Sequence, residues 1–310
     1  MSNFAIITDT ACDLDRKLRE RFGVDDYVAG YLVFPDGHSE HSDLDWNNIS
    51  PKDFYGSMKD KTGLYTTAQP GLEEMKDTFK KFLADGTDVL FLSLSSALSG
   101  TYNAACIVAK ELKEEYPQQK LICVDSRRYC GAEGCLVMYA SELRAAGKTI
   151  EEVAAWVEEN RNRVHQMGVL EDLFFSKRMG RVSGAAAVMG TLVGIRPMAD
   201  ISPEGMSTVL GKVKGRKAAY AATIEYMNRT IEKPEEQIIC ISHSEREEQA
   251  NTLKQMVENT FHPREVIITN ASQACGPALG PGLYAVFYMG TPVSEGLAEE
   301  KRIFAEVTGK

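Results

Sequence analysis

The feature that most constrains the fold of this chain is the alternation of short apolar runs with amphipathic stretches over its first 150 residues. The apolar runs have the length of buried strands, and the stretches between them have the spacing of helices that cover a sheet. Such alternation is typical of a parallel sheet with helices on its faces. The predicted strands are Phe4–Ile7, Tyr27–Phe34, Val89–Leu94 and Lys120–Val124. The predicted helices begin near Asp13, Pro51, Gly71 and Ser99, and two more cover about 131–146 and 150–164.

The second half of the chain has a less regular pattern. Ile195–Ile201 and Ser207–Val213 flank a Ser-Pro-Glu-Gly turn and predict a hairpin, which is followed by a helix over about 216–230. Further strands are predicted near 237–242 and 265–269, with a helix between them. The basic, glycine-rich segment 176–190 predicts a loop that enters a tightly packed helix. We place a domain boundary near residue 160, since 310 residues suggest two domains.

Charge and cysteine usage exclude several classes of protein. The chain carries 35 basic and 44 acidic residues, a formal charge of −9, which argues against a nucleic-acid binder and does not favour an anionic lipid surface. No apolar run reaches the roughly 20 residues needed to cross a bilayer. The seven cysteines are scattered without CxxC spacing, and the first residues lack the basic flank of a signal peptide. We therefore expect a reduced, cytoplasmic protein.

Familiar catalytic and cofactor motifs are missing from the sequence. It contains no GxxxxGK[ST], no GxGxxG after a strand and no GxSxG. Asp9 ends a predicted strand as in aspartyl phosphotransferases, but Ala11 stands where a second carboxylate would be needed. His38 and His41 have a spacing that suits metal binding on a helix, yet they fall in a polar loop. The sequence therefore predicts neither a cofactor nor a metal site.

Hydroxyl side chains are concentrated where a buried strand meets a helix, in the segment LFLSLSSALSGTYNAA at 90–105. In a parallel sheet such a turn lies at the carboxyl edge, where ligands bind. The first amides of the helix lack intrahelical partners and carry roughly half a positive charge, so hydroxyls beside them form a seat for phosphate or carboxylate. A single helix cap would explain one hydroxyl, whereas this segment contains Ser93, Ser95, Ser96, Ser99 and Thr101.

Three other segments could complete such a site. In LYTTAQPGLEE at 64–74, Thr66 and Thr67 precede a predicted helix of the same sheet, so their hydroxyls could converge with the serines. The glycines and prolines of ACGPALGPGLYAVFYMG at 274–290 allow close packing against a ligand or another domain. In the basic run Lys177–Arg181, Arg181 could neutralise an anion or contact a partner.

Together and in this order, these segments resemble the DegV family. The resemblance covers nearly the whole chain and is carried by ITDTACDL (7–14), TTAQP (66–70), SLSSALSGTYNAA (93–105), VDSR (124–127) and KRMGRVSGAAAVMGTLVGIRP (177–197). It implies a two-domain α/β protein. The N-terminal domain, 1–160, would contain a parallel sheet sandwiched by helices and the loops that bind a head group. The C-terminal domain, 161–310, would contain a mixed sheet and contribute to a tunnel.

The resemblance also implies a function, the non-catalytic binding of one long-chain fatty acid such as palmitate or oleate. The acyl chain would lie in the tunnel, and Thr67 and Ser99 would hold the carboxylate, with Ser96 next in line. In some bacteria a family member presents its fatty acid to a separate kinase, which phosphorylates the carboxyl group with ATP. On this analogy Arg181 would lie near the exposed head group or the surface that meets the kinase.

Two positions depart from the family pattern. Members usually have a histidine two residues before GPG, close to the carboxylate, and the alignment of Gly280-Pro281-Gly282 places Ala278 there. The head group could then be held by fewer donors, Gln273 or Cys275 could substitute, or the ligand could differ. Lys214 stands where many members carry arginine. These departures leave the kinase role open.

Two other classes of function remain open on the sequence. The related fold of dihydroxyacetone kinase substrate domains makes a small-molecule kinase or acyl-phosphate enzyme conceivable. Those domains hold their substrate through a histidine, and none of the five histidines of this chain stands at a matching motif. The other alternative is a regulatory module that senses lipid and binds another protein.

Overall fold

The computed structural model of the protein describes residues 4–184 and 194–309. In the first half, the strands are β1 (Phe4–Asp9), β2 (Asp26–Val28), β3 (Tyr31–Val33), β4 (Ser39–His41), β5 (Thr66–Ala68), β6 (Asp88–Ser93) and β7 (Leu121–Asp125). The strands of the second half are β8 (Val164–Leu170), β9 (Val182–Ser183), β10 (Ile195–Ile201), β11 (Ser207–Lys214), β12 (Ile238–His243), β13 (Glu265–Asn270) and β14 (Leu283–Met289). The helices are α1 (Arg16–Phe22), α2 (Pro51–Ser57), α3 (Leu72–Leu83), α4 (Thr101–Glu115), α5 (Gly131–Ala145), α6 (Ile150–Asn160), α7 (Leu173–Met179), α8 (Arg216–Thr230), α9 (Glu247–Phe261), α10 (Gly276–Leu279) and α11 (Ala298–Thr308).

The first half contains a four-stranded parallel sheet with the strand order β2-β1-β6-β7. Its two central strands are almost wholly buried, and their side chains point alternately to opposite faces. One face packs against α3 and α4, and the other packs against α5 and α6. This is the predicted parallel sheet with helices on both faces.

The second half contains a seven-stranded mixed sheet with the order β13-β12-β14-β8-β10-β11-β9. The outer pairs β12–β13 and β11–β9 are parallel, and the other neighbours are antiparallel. The hairpin β10–β11 confirms the prediction from the sequence. Helices α8, α9 and α11 pack over one face of the sheet. The α/β fold class is confirmed, although the sequence analysis predicted neither β14 nor α11.

Helix α5 packs between the two sheets, and most of its residues are buried. A Cβ atom at Gly131 would lie 2.6 Å from Cδ2 of Phe287 in the mixed sheet. A Cβ atom at Gly134 would lie 2.5 Å from the carbonyl oxygen of Cys12 in the first half. The two glycines therefore let the helix approach both sides closely, and one hydrophobic core extends across both halves of the chain.

The predicted strand Tyr27–Phe34 is wrong, because the chain changes sheets within it. Strand β2 belongs to the parallel sheet, whereas β3 is the centre of a separate three-stranded antiparallel sheet with the order β4-β3-β5. Gly30 lies at the crossing, where a Cβ atom would be 2.8 Å from the carbonyl oxygen of Ala68. Thr66 and Thr67 therefore lie on an edge strand of this small sheet, and the prediction that they open a helix of the parallel sheet is wrong.

Two further local predictions need correction. Asp13 does not cap the helix that follows it, because Asp15 accepts the hydrogen bond from the Leu18 amide at 2.9 Å. The segment 176–190 is not a loop throughout, since α7 extends to Met179 and β9 follows shortly after it. The helix that this loop was predicted to enter falls on 185–193, outside the described residues.

Candidate ligand-binding cavity

A cavity lies where the turn after β6 meets strand β5, helix α7 and the segment around α10. About 200 Å³ of it is open to the centre of a water molecule. Its wall combines the hydroxyl side chains of Thr67 and Ser99 with the apolar side chains of Leu98, Met179 and Leu279. The wall therefore takes residues from both halves of the chain and offers polar donors beside an apolar surface.

Ser99 lies directly before α4 and is fixed by its neighbour. The hydroxyls of Ser99 and Thr101 are 2.9 Å apart and share a hydrogen bond, and the Thr101 amide donates to Ser99 Oγ at 3.3 Å. Gly100 is the N-cap residue, and a Cβ atom there would lie 2.2 Å from Gln69 Oε1. The start of α4, where the helix dipole is positive, thus contributes Ser99, Gly100 and Thr101 to the cavity wall.

Thr67 reaches the same wall from a different sheet. It is the middle residue of β5 and pairs with Leu32 of β3. Its side chain is half-buried and lines the cavity together with Ser99. The structure therefore brings together the two hydroxyls that the sequence predicts as carboxylate ligands, by a route that the sequence did not predict.

Ser96, the third predicted ligand, does not belong to the residues that line this cavity. Its hydroxyl donates to Asp125 Oδ2 at 2.6 Å, and its amide donates to Asp125 Oδ1 at 3.1 Å. Asp125 is the last residue of β7, so Ser96 ties the serine-rich turn to the neighbouring strand. Its position suits support of the turn rather than direct contact with a ligand.

Arg181 is exposed and lies at the edge of the cavity. Its Nε donates to the Leu98 carbonyl oxygen at 3.1 Å, and its Nη1 donates to the Met179 carbonyl oxygen. These contacts hold a positive charge beside the turn that carries Ser99. Lys214, at the end of β11, is not among the residues that line the cavity.

The position of the family histidine is occupied by Ala278, which lines the cavity. Of the two predicted substitutes, Cys275 also lines the cavity, whereas Gln273 is not among the lining residues. The Gln273 amide group accepts from the Asp43 amide at 2.9 Å and donates to Asn48 Oδ1 at 2.6 Å. Cys275 is therefore the predicted substitute that reaches the wall.

Asp9 is a wall residue that the sequence analysis did not assign to the site. The Ala11 and Leu94 amides each donate to its carboxylate at 2.9 Å, and burial raises its pKa to about 6. Glu133 lies behind it, accepts from the Thr8 hydroxyl at 3.0 Å, and has a pKa raised well above its usual value by burial. A signal was present in the sequence, since Asp9 and the serines end predicted strands of one parallel sheet.

These features define an α/β ligand-binding protein with a cavity lined from both of its halves. The chain belongs to the DegV family. The family model, described as "Uncharacterised protein, DegV family", matches residues 3–291. A DegV domain-containing protein of Clostridium perfringens is 34% identical over 290 residues, which cover 94% of this chain and 98% of the relative.

Two solved structures share this fold at high similarity. A DegV lipid binding protein from Thermotoga maritima has a TM-score of 0.81 and 25% identity, with 94% of this chain and 99% of that chain covered. A DegV family protein from Thermus thermophilus, whose structure is described as fatty acid binding, has a TM-score of 0.82 and 26% identity, with 93% and 99% covered. The family predicted from the sequence motifs is confirmed.

The described residues also limit the chemistry of the molecule. Within 4–184 and 194–309, none of the helices has the length and apolar composition of a membrane span. In the same ranges, no three His, Cys, Asp or Glu side chains are grouped so that they could hold a metal ion. What the cavity offers is a set of neutral donors near a helix N-terminus and an apolar surface, an arrangement that binds and orients an amphiphilic anion.

Proposed function

We propose that this protein binds a long-chain fatty acid, such as palmitate or oleate, without catalysing a reaction on it. The observation that carries the proposal is the cavity whose wall combines the Thr67 and Ser99 hydroxyls with apolar side chains. A carboxylate with a long alkyl tail has the matching chemistry. The lipid binding and fatty acid binding described for the relatives from Thermotoga maritima and Thermus thermophilus support the same ligand class.

In this proposal the carboxylate is held by Thr67, Ser99 and the start of α4. A charged group cannot be buried without partners, because its desolvation is expensive. Hydroxyls and free helix amides supply donors, and the helix dipole favours a negative charge at this end. Ser96 supports the turn through Asp125, and Cys275 takes the place near the head group that a histidine has in other members.

The tail supplies most of the binding free energy. A water molecule needs about 10–15 Å³ of space open to its centre, so the cavity suits a chain of roughly ten or more methylene-sized groups. Each buried methylene contributes about 0.8 kcal/mol, and ten would contribute on the order of 8 kcal/mol before the costs of ordering. The polar end then fixes orientation rather than strength.

We further propose a division of labour near residue 160. Residues 1–160 supply the head-group hydroxyls Thr67 and Ser99, and residues 161–310 supply other parts of the wall, such as Met179 and Leu279. The protein would work in the bacterial cytoplasm and present its fatty acid to a separate kinase. The exposed Arg181, held beside Leu98 at the cavity edge, would lie on the surface that meets the kinase.

Native mass spectrometry of freshly purified protein tests the ligand. We expect an added mass equal to that of a fatty acid, and reloading of delipidated protein by oleate or palmitate. Repeated purification without lipid, together with no uptake of either fatty acid, would contradict the proposal.

A reconstitution with ATP tests the role of the protein in phosphorylation. Oleate-loaded protein with ATP alone should yield no acyl phosphate, and addition of a purified fatty-acid kinase subunit should yield it, measured as the hydroxamate. Arg181→Gln should slow this transfer while it leaves the oleate affinity within about twofold. Acyl phosphate formed without the kinase would instead identify the protein as an enzyme.

A further inference from the structure

The cavity wall contains hydroxyl groups that have no hydrogen-bond partner among the described residues. They are Ser42 Oγ, Tyr129 OH and Ser207 Oγ. The three residues are only 3%, 5% and 6% exposed, respectively. Buried hydroxyls are normally paired, because an unpaired polar group loses its hydration without compensation. Unpaired hydroxyls on a cavity wall therefore indicate that the partner belongs to what fills the cavity.

Tyr129 and Ser207 form a pair at one part of this wall. Tyr129 follows β7, and Ser207 is the first residue of β11, so the pair joins the two halves of the chain. Burial raises the pKa of the Tyr129 hydroxyl, and its neighbours are Ser207 and Gln166 of β8. Gln166 Oε1 is itself buried without a partner among the described residues. The pair thus faces a small polar region that the protein leaves unsatisfied.

The backbone that carries this pair is rigid. The Ser95 amide donates to the Arg128 carbonyl oxygen at 2.9 Å, and Arg128 Nε donates to the Val164 carbonyl oxygen at 2.8 Å. The Ser207 end is held by the β10–β11 hairpin, where Ser207 pairs with Ile201. The hydroxyls are therefore pre-positioned, and a bound oxygen atom would meet them without rearrangement of the fold.

The pair differs from the head-group seat in what it lacks. Ser99 and Thr101 bond to each other and lie at a helix N-terminus, which favours an anion. Tyr129 precedes α5 by two residues and Ser207 lies on a strand, so the Tyr129–Ser207 pair offers neutral groups that can both donate and accept. A neutral hydroxyl on the ligand, which also donates and accepts, would satisfy both side chains.

We propose that the Tyr129–Ser207 pair is a subsite for an oxygen atom on the acyl chain, and that the preferred ligand class is hydroxylated long-chain fatty acids. This inference rests on the proposed fatty-acid binding and specifies the ligand further. A plain alkyl chain fills the cavity but leaves the two hydroxyls unpaired. A chain with a hydroxyl at the matching carbon pairs them and gains affinity.

Binding of stearate and of a series of positional hydroxystearates to delipidated protein tests the proposal by calorimetry. At least one positional isomer should bind about tenfold more tightly than stearate. Tyr129→Phe should remove that preference and leave the stearate affinity within about twofold, and Ser207→Ala should reduce the preference. Removal of an unpaired hydroxyl should not lower the melting temperature, so these variants should fold.

Tyr284→Phe is the matched control. The Tyr284 hydroxyl is also buried without a partner among the described residues, but Tyr284 does not line the cavity. Its variant should change neither affinity. The subsite proposal fails if no isomer is preferred over stearate, or if Tyr129→Phe weakens stearate and hydroxystearate equally, since the hydroxyl would then serve the carboxylate or the fold. Failure of the wild-type protein to bind any of these acids would instead overturn the proposed fatty-acid function.

Discussion

Two turns at the carboxyl edge of the parallel sheet use the same position in opposite ways. The turn after β1 carries Asp9 and Asp13, and the turn after the neighbouring strand β6 carries Ser99. Asp13 is enclosed, with its carboxylate accepting from the Ser242 hydroxyl at 2.7 Å and the Ser272 amide at 2.8 Å. Ser99 instead lines the cavity and is bonded to the neighbouring Thr101 hydroxyl.

The difference shows how one sheet edge can bind a carboxylate of its own or leave a seat for another. In the acidic turn, internal donors already satisfy the protein's carboxylates, and burial raises the pKa of Asp9 to about 6 and that of Asp13 to about 7. In the hydroxyl turn, the groups are neutral, so they add no charge that would repel an incoming anion. The acidic turn therefore makes stability depend on pH, and the hydroxyl turn makes binding depend on side-chain donors.

The largest expected effect concerns the acidic turn. Because burial raises the pKa of Asp13 from 3.8 to about 7, the folded protein holds this proton more tightly than the unfolded chain does. The stabilising contribution is thus complete below about pH 4 and is lost as the pH rises towards 7. Asp13 alone would change the free energy of unfolding by on the order of 3–4 kcal/mol over this range. Urea unfolding at a series of pH values measures it.

Asp13→Asn provides the comparison for this measurement. Its free energy of unfolding should vary less between pH 4 and pH 7 than that of the wild-type protein, whatever its absolute stability. The buried His165, whose pKa is raised beside Asp200, contributes to both proteins and cancels in the difference. An identical pH dependence in the two proteins would show that Asp13 is not the group that titrates.

The next largest effect concerns the hydroxyl turn. Ser99→Ala removes a donor to the proposed carboxylate, and a hydrogen bond to a charged group contributes about 1.5–3 kcal/mol. We expect oleate affinity to fall at least about tenfold, with a change in melting temperature of only a few degrees. Isothermal titration calorimetry with delipidated protein measures the affinity. Unchanged affinity would mean that the head group lies elsewhere.

Thr67→Val should have a smaller effect of the same sign. It keeps the β-branched shape that suits strand β5 and removes only the hydroxyl. Since Ser99 and the helix amides remain, we expect oleate affinity to fall about three- to tenfold in the same titration. A loss much larger than that of Ser99→Ala would make Thr67, rather than Ser99, the principal ligand of the carboxylate.

Ser96→Ala should have the smallest effect on binding. Ser96 is in the same turn as Ser99, but its hydroxyl bonds to Asp125 rather than lining the cavity. We expect oleate affinity within about twofold of the wild-type value. A loss comparable with that of Ser99→Ala would show that the whole turn, and not the Ser99 hydroxyl, controls the site.

The sequence predicted the parallel sheet because its signals are local. Strands β1 and β6 are continuous apolar runs, and Ser50 with Pro51 marks the start of α2 as predicted. The small antiparallel sheet was not predictable in this way. The apolar run Tyr27–Phe34 continues across two sheets, and only the distant partner Ala68 shows that the chain turns at Gly30. Local periodicity contains no information about such partners.

The candidate site was predicted for similar reasons and with similar gaps. The spacing of hydroxyls in the serine-rich turn identified the region, but spacing cannot tell which hydroxyl faces the cavity. Ser96 and Ser99 differ because Asp125, at the end of the adjacent strand, binds one of them. Tyr129 and Ser207 were not predicted, since each is an ordinary residue in its own segment and becomes notable only where the two halves meet.

The position of α5 has a consequence for how this molecule unfolds. A helix wedged between two sheets, with Gly131 against one and Gly134 against the other, cannot lose either neighbour without exposing its own apolar surface. The two halves are therefore thermodynamically coupled, and heating should melt them in one cooperative transition despite the two separate sheets.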